Sequence, residues 1–162
     1  MLKTLRKAQS GFTIIELLIV IAIIGILAGL VLNNFQGAQA KARDTQRRTD
    51  INNIHAKLEE FYNEEGGYPN EDLTATLLAG IDTEALIDAD GGTNQIEETF
   101  TTSTTAPTPS VDNDNEYEYA AYGCDSATAV THVDPVVQFC DKYVMRTFLE
   151  KDTNGFTKNS LN

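Results

Sequence analysis

The chain starts polar, turns apolar for one long run, and then becomes amphipathic. From Phe12 to Leu32 only Thr13, Glu16, Gly25 and Gly29 interrupt large apolar residues and alanine. A helix of that length rises about 30 Å, the hydrocarbon thickness of a bilayer. Farther along, Ile51, Ile54, Leu58, Phe61 and Tyr62 follow the spacing of a helical stripe packed against something. Lys41, Arg43, Arg47, Arg48, Asp50, Lys57, Glu59 and Glu60 are placed on the other sides. No proline lies between Phe12 and Glu65, which permits one helix of about 53 residues. Gly66-Gly67 stops it and Pro69 forbids its resumption.

After residue 66 the pattern shortens. Helix-like pieces are expected around Leu73–Leu78 and Thr83–Ile87, split by Gly80. Residues 99–110, Thr-Phe-Thr-Thr-Ser-Thr-Thr-Ala-Pro-Thr-Pro-Ser, read as a low-complexity exposed loop, a composition that also suits O-linked sugar outside the cell. Glu116–Tyr122 opens with strict alternation, and Val136–Leu149 is rich enough in β-branched and aromatic residues for one or two strands. Helix first and strands last predict an α+β fold, a long helix laid on a small antiparallel sheet. The division is a leader over 1–11, the helix over 12–65 with its membrane part at 12–32, and a globular head over 66–162.

Charge divides the same way. Residues 66–162 hold seventeen acidic and four basic side chains, a net of −13, whereas 1–65 nets +1. So negative a head repels a phosphate backbone, so nucleic acid is not expected as its partner. Lys3, Arg6 and Lys7 precede the apolar run without an acid, which leaves the N-terminus in the cytoplasm and the head outside. In that compartment Cys124 and Cys140 are expected to form a disulfide. The competing reading, a metal held by both thiolates and His132, lacks the short spacing of zinc modules.

Glu16 discriminates among three readings of the apolar run. A secretory signal would be cut after such a run, where no convincing site exists. A plain anchor has no use for a carboxylate in lipid. Cleavage between Gly11 and Phe12 gives Glu16 a purpose, because the new amine on Phe12 lies one helical turn away and supplies a counter-charge. The basic leader ending in Gly11, followed by Phe12-Thr13-Ile14-Ile15-Glu16 and the apolar run through Ala28, resembles the type IV pilin and type II secretion pseudopilin family. The words Phe-Tyr-Asn-Glu-Glu-Gly-Gly-Tyr-Pro at 61–69 resemble that family too. The resemblance implies cleavage at Gly11 by a membrane prepilin peptidase, N-methylation of Phe12, and pairing of Glu16 with the Phe12 amine of a neighbouring subunit. It implies a precursor stored in the inner membrane, then a periplasmic or cell-surface filament built by an assembly platform and its ATPase. Gly25 and Gly29 form a small-xxx-small pair that admits close helix approach.

Enzymatic chemistry is not expected. His55 and His132 have no evident nucleophile partner, and no phosphate loop or nucleophile elbow occurs. Calcium is the one cofactor the acidic loops leave open, with Glu150, Asp152 and Asn154 as ligands, although the twelfth position is Leu161 rather than an acid. Two function classes remain: a filament subunit polymerising through its N-terminal helix, and a single-span anchored module whose acidic head binds a ligand or calcium without polymerising.

Overall fold

The computed structural model describes residues 11–89, 96–108, 117–125, 139–152 and 154–162. One helix, α1 (Ile14–Glu65), is followed by strands β1 (Tyr68–Pro69), β2 (Glu97–Thr101), β3 (Tyr117–Cys124), β4 (Phe139–Thr147) and β5 (Phe156–Asn159). The chain divides into two compact units, one ending at Gln39 and the other beginning at Ala40.

In the first unit every large apolar side chain from Ile14 to Leu32 is more than half exposed. Water is a poor solvent for such a surface. Among the described residues α1 is the one helix long and apolar enough to cross a membrane.

The second unit is a five-stranded sheet on the later turns of α1. Ile51, Ile54 and Leu58 are fully buried against Tyr68, Tyr119, Tyr143 and Met145, while Phe61 and Tyr62 are half-buried at the end of the stripe. Gly66, at φ 86°, ends the helix, its N–H donating to Tyr62 O at 2.9 Å. Only glycine takes that left-handed conformation freely, and the bond satisfies one of the last carbonyls.

Within the sheet β4 pairs antiparallel with β3, and with β1 and β5 along its other edge. β2 pairs parallel with β3, Glu97 opposite Glu118 through Thr101 opposite Tyr122. The sheet is therefore mixed rather than purely antiparallel. That parallel pair also corrects the loop expected over 99–110: Thr99–Thr101 belong to β2, and Phe100 packs its ring against Tyr119 with centroids 6.2 Å apart. The piece expected at 73–78 is a turn, closed by Leu78 N–H to Thr74 O, and the piece at 83–87 is a single 3-10 turn, Thr83–Leu86, capped by Asp82.

Each buried tyrosine hydroxyl finds an acceptor, as burial in a dry core demands. Tyr117 donates to Asp50 at 2.8 Å, Tyr119 to Pro69 O at 2.8 Å, and Tyr143 to Glu59 at 3.0 Å. Tyr68 donates to the same Glu59, whose carboxylate also accepts from Leu161 N–H. His55, half-buried, meets the Tyr143 hydroxyl through Nδ1. His55 is thus a structural partner of the tyrosines, and burial pushes its pKa below the ordinary value. His132 lies outside the described residues.

Candidate functional site

The N-terminal turn of α1 brings together the residues singled out around Gly11. Thr13 N–H and Thr13 Oγ1–H both donate to Glu16 Oε2, at 2.9 and 2.7 Å. Glu16 N–H returns a bond to Thr13 Oγ1 at 3.2 Å. With Ile14 as the first helical residue, this is a reciprocal capping box, Thr-x-x-Glu, that satisfies two otherwise orphan donors. Reading Glu16 as a docking charge alone overlooked this duty, although Thr-Ile-Ile-Glu was a readable signal. Both bonds from Thr13 fall on Oε2, and Oε1 makes none to the described residues. The carboxylate is exposed, as is Phe12 at 92 %. A side chain added at Gly11, Gly25 or Gly29 would meet nothing within 4 Å. Within one chain no close contact requires glycine at these positions.

A second cluster sits where α1 meets the turn after β4. Arg47, placed on an outer face by the periodicity, is fully buried, and Asp44 and Asp50 are buried with it. The stripe below Ile51 continues as charge rather than hydrocarbon. Arg47 Nε and Nη2 clasp Asp88 at 2.8 and 2.9 Å, and Nη1 reaches Glu150 at 3.0 Å and Asp44 at 3.3 Å. Asp44 accepts from the N–H groups of Glu150 and Lys151, at 2.8 and 3.0 Å. Paired guanidinium and carboxylates hold these charges where either alone would be costly. Arg43 forks onto Glu150 at 2.6 and 2.7 Å, which together with Arg47 holds the Glu150 carboxyl down to about 2. Burial pushes the Asp50 carboxyl up against the pull of the Tyr117 hydroxyl.

The three residues expected as calcium ligands, Glu150, Asp152 and Asn154, make contacts within the chain. Glu150 is spent on Arg43 and Arg47, and Asp152 accepts from Arg48 at 3.3 Å and from Asn154 N–H at 3.1 Å. The counter-ions are arginines of α1, and among the described residues no group of His, Cys, Asp or Glu is arranged to hold a metal. Asp88 likewise serves Arg47. Of the basic residues early in this part of α1, Arg43, Arg47 and Arg48 pair with acids of the same chain.

Cys124 and Cys140 are joined in a disulfide between facing positions of β3 and β4. The competing thiolate site is thereby excluded, since neither cysteine is free.

Comparison with known proteins agrees with the N-terminal geometry. The family model described as a prokaryotic N-terminal methylation motif matches residues 6–32. The fimbrial protein EcpC of Eikenella corrodens is 32 % identical over 95 residues, covering 57 % of this chain and 62 % of that protein. The type IV major pilin PilA of Myxococcus xanthus is 40 % identical over 58 residues, 36 % of this chain and 26 % of its own. The type II secretion system core protein G of Aeromonas hydrophila is 34 % identical over 80 residues, 49 % of this chain and 56 % of its own. The chain thus spans less than two thirds of the relatives it matches. No solved structure matches it significantly.

Proposed function

We propose that this chain, which carries the prokaryotic N-terminal methylation motif and has type IV pilins and type II secretion core G proteins as its relatives, is a structural subunit of a pilus-like filament. The observation that carries the reading is the pairing of an exposed apolar helical segment with one carboxylate at its start. In this reading the precursor rests in the membrane with Phe12–Leu32 in lipid. Prepilin peptidase cuts after Gly11 and methylates Phe12, and the apolar helices of successive subunits then pack together. Glu16 keeps its Oε2 on Thr13 as a helix cap and offers Oε1 to the Phe12 amine of the neighbour, so one side chain both starts the helix and sets the register between copies. Gly25 and Gly29, with open space around them in the single chain, let a neighbouring helix approach closely. The assembly platform and its ATPase drive polymerisation. The filament serves adhesion, motility, DNA uptake or secretion; the head's acidity favours a protein or surface target over nucleic acid.

The test is the intact mass and N-terminal sequence of the protein recovered from its own cell envelope. A chain beginning at Phe12 and heavier by one methyl group is expected. A chain still beginning at Met1 in cells that contain a prepilin peptidase would favour the anchored, non-polymerising module instead.

A further inference from the structure

We infer that the head docks onto a second copy of this chain edge to edge, the cationic β4–β5 edge of one sheet meeting the acidic β2 edge of the next. The inference rests on the filament reading and adds which surfaces of the head touch.

Charge is divided across the sheet. β5 and β1 lie along one side of β4, and β2 is the last described strand on the other side. All four basic residues of the head fall between 142 and 158: Lys142 and Arg146 on β4, Lys151 in the turn, Lys158 on β5. Lys142 and Lys151 are exposed, Arg146 and Lys158 half-buried. The head has seventeen acidic side chains, yet none of these four cations makes an ion pair with a described residue. The acids of the same hairpin are engaged elsewhere. Glu150 and Asp152 bind arginines of α1, and Asp141 alternates to the face away from Lys142 and Arg146. Lys158 Nζ rests instead over the Phe156 ring, 5.9 Å from its centroid, with the Arg48 guanidinium 5.0 Å from the same centroid. Cations left without a carboxylate in so acidic a head point to carboxylates from outside it.

The opposite edge is acidic. Glu97 opens β2 and is exposed, as is Asp72. Leu73 N–H donates to Glu98 at 3.3 Å, which brings Asp72 to the same strand. The Glu98 carboxyl, raised first by burial, is raised further by Asp72 and Glu97, so three acids share this edge. Two unlike surfaces on opposite sides of one head make a heterologous contact, which repeats into an open helix when its rotation does not close. A self-complementary surface would instead stop at a dimer. A net charge of −13 makes neighbouring heads repel. Setting the cationic edge on the acidic edge turns part of that repulsion into attraction. Salt screens exposed charges over about 10 Å at 0.1 M, so each contact is weak singly and acts by repetition along the filament.

The test is a charge swap in the full chain, expressed in its own cells, with filaments counted by electron microscopy. Lys142→Glu with Lys158→Glu puts like charge at both edges and is expected to cut filament number about tenfold or more. Adding Asp72→Lys and Glu97→Lys to that chain exchanges the two edges. The number is then expected to return to within about threefold of the parent. Protease resistance of the head shows that each variant folds. Where the reversal does not fold, Lys142→Gln with Lys158→Gln takes its place, with a loss of about threefold expected. A folded reversal that leaves filament number unchanged overturns the inference and leaves the filament reading standing. So does a folded swap that fails to restore the number, because the cations would then serve the assembly machinery. Reversed filaments of normal number that no longer hold to an acidic polysaccharide surface overturn it too, in favour of an anionic partner. A parent chain that forms no filaments overturns the filament reading, and this inference with it.

Discussion

Arg47 shows how a single charged residue can carry packing. Its side chain is fully buried on the same helix face as Ile51 and Ile54, and three carboxylates surround its guanidinium. Removing one partner leaves buried charge short of compensation, a loss that typically costs about 3–5 kcal/mol. Asp88→Asn is expected at the low end, about 3 kcal/mol, because Asp44 and Glu150 remain. Urea unfolding at neutral pH measures it, and a loss below about 1 kcal/mol would mean the clasp contributes little. Two glutamates then give opposite pH signatures. Glu150, held down to about 2 by Arg43 and Arg47, contributes stability that is fully present above its ordinary value near 4.5 and is lost as pH falls toward 2. Glu98 is pushed up to about 7, first by burial and then by Asp72 and Glu97, against the pull of Leu73 N–H. The folded chain holds that proton longer than the unfolded one, so this contribution is full below about 4.5 and declines as pH rises to 7. Glu98→Gln keeps an acceptor for Leu73 and removes the charge. It is expected to raise the melting temperature near pH 8 and leave it unchanged near pH 4; equal melting at both would show that Glu98 ionises normally.

Elements were legible where one physical rule dominated. Apolar continuity and the absence of proline marked α1 to within two residues of its observed start, and the glycine pair marked its end. Alternation found β3, and aromatic and β-branched richness found β4. Three things were hidden. β1 is two residues long and β5 four, too short for a period to show. β2 lies half inside a Ser/Thr-rich stretch, and its parallel pairing depends on a distant strand rather than on a local turn. The buried charge around Arg47 breaks the rule that places charged residues outside, and only its partners in the folded chain reveal it. At the N-terminus the spacing of Thr13 and Glu16 carries the signature of a capping box, whose bonds the folded chain makes. At this scale two measurements apply. Ile54→Ala, at a fully buried point between helix and sheet, is expected to cost about 3–4 kcal/mol. Cys124→Ser opens a bridge across a separation of 16 residues and is expected to cost roughly 3 kcal/mol, seen as faster proteolysis of the head. Unchanged protease resistance would show that strand pairing alone holds that corner.

For the whole molecule, the decisive variant is Glu16→Ala. Cleavage and membrane insertion are expected to continue, because neither uses the carboxylate, while filaments visible by electron microscopy are lost. Normal filaments from that variant would remove the intersubunit role and leave Glu16 as a helix cap only. The sheet carries a different consequence, one of timing. β4 pairs with β1, β3 and β5, and Cys140 within it is half of the disulfide. Among the described strands only the β2–β3 pair forms without it. A polypeptide is made from its N-terminus, so Ile51, Ile54 and Leu58 appear long before residues 139–147 arrive to cover them. Until then no partial chain can close its core, and every unfinished one presents an uncovered greasy stripe to whatever handles it. A chain stopped at residue 138 should stay in that condition, open to proteases, however long it waits.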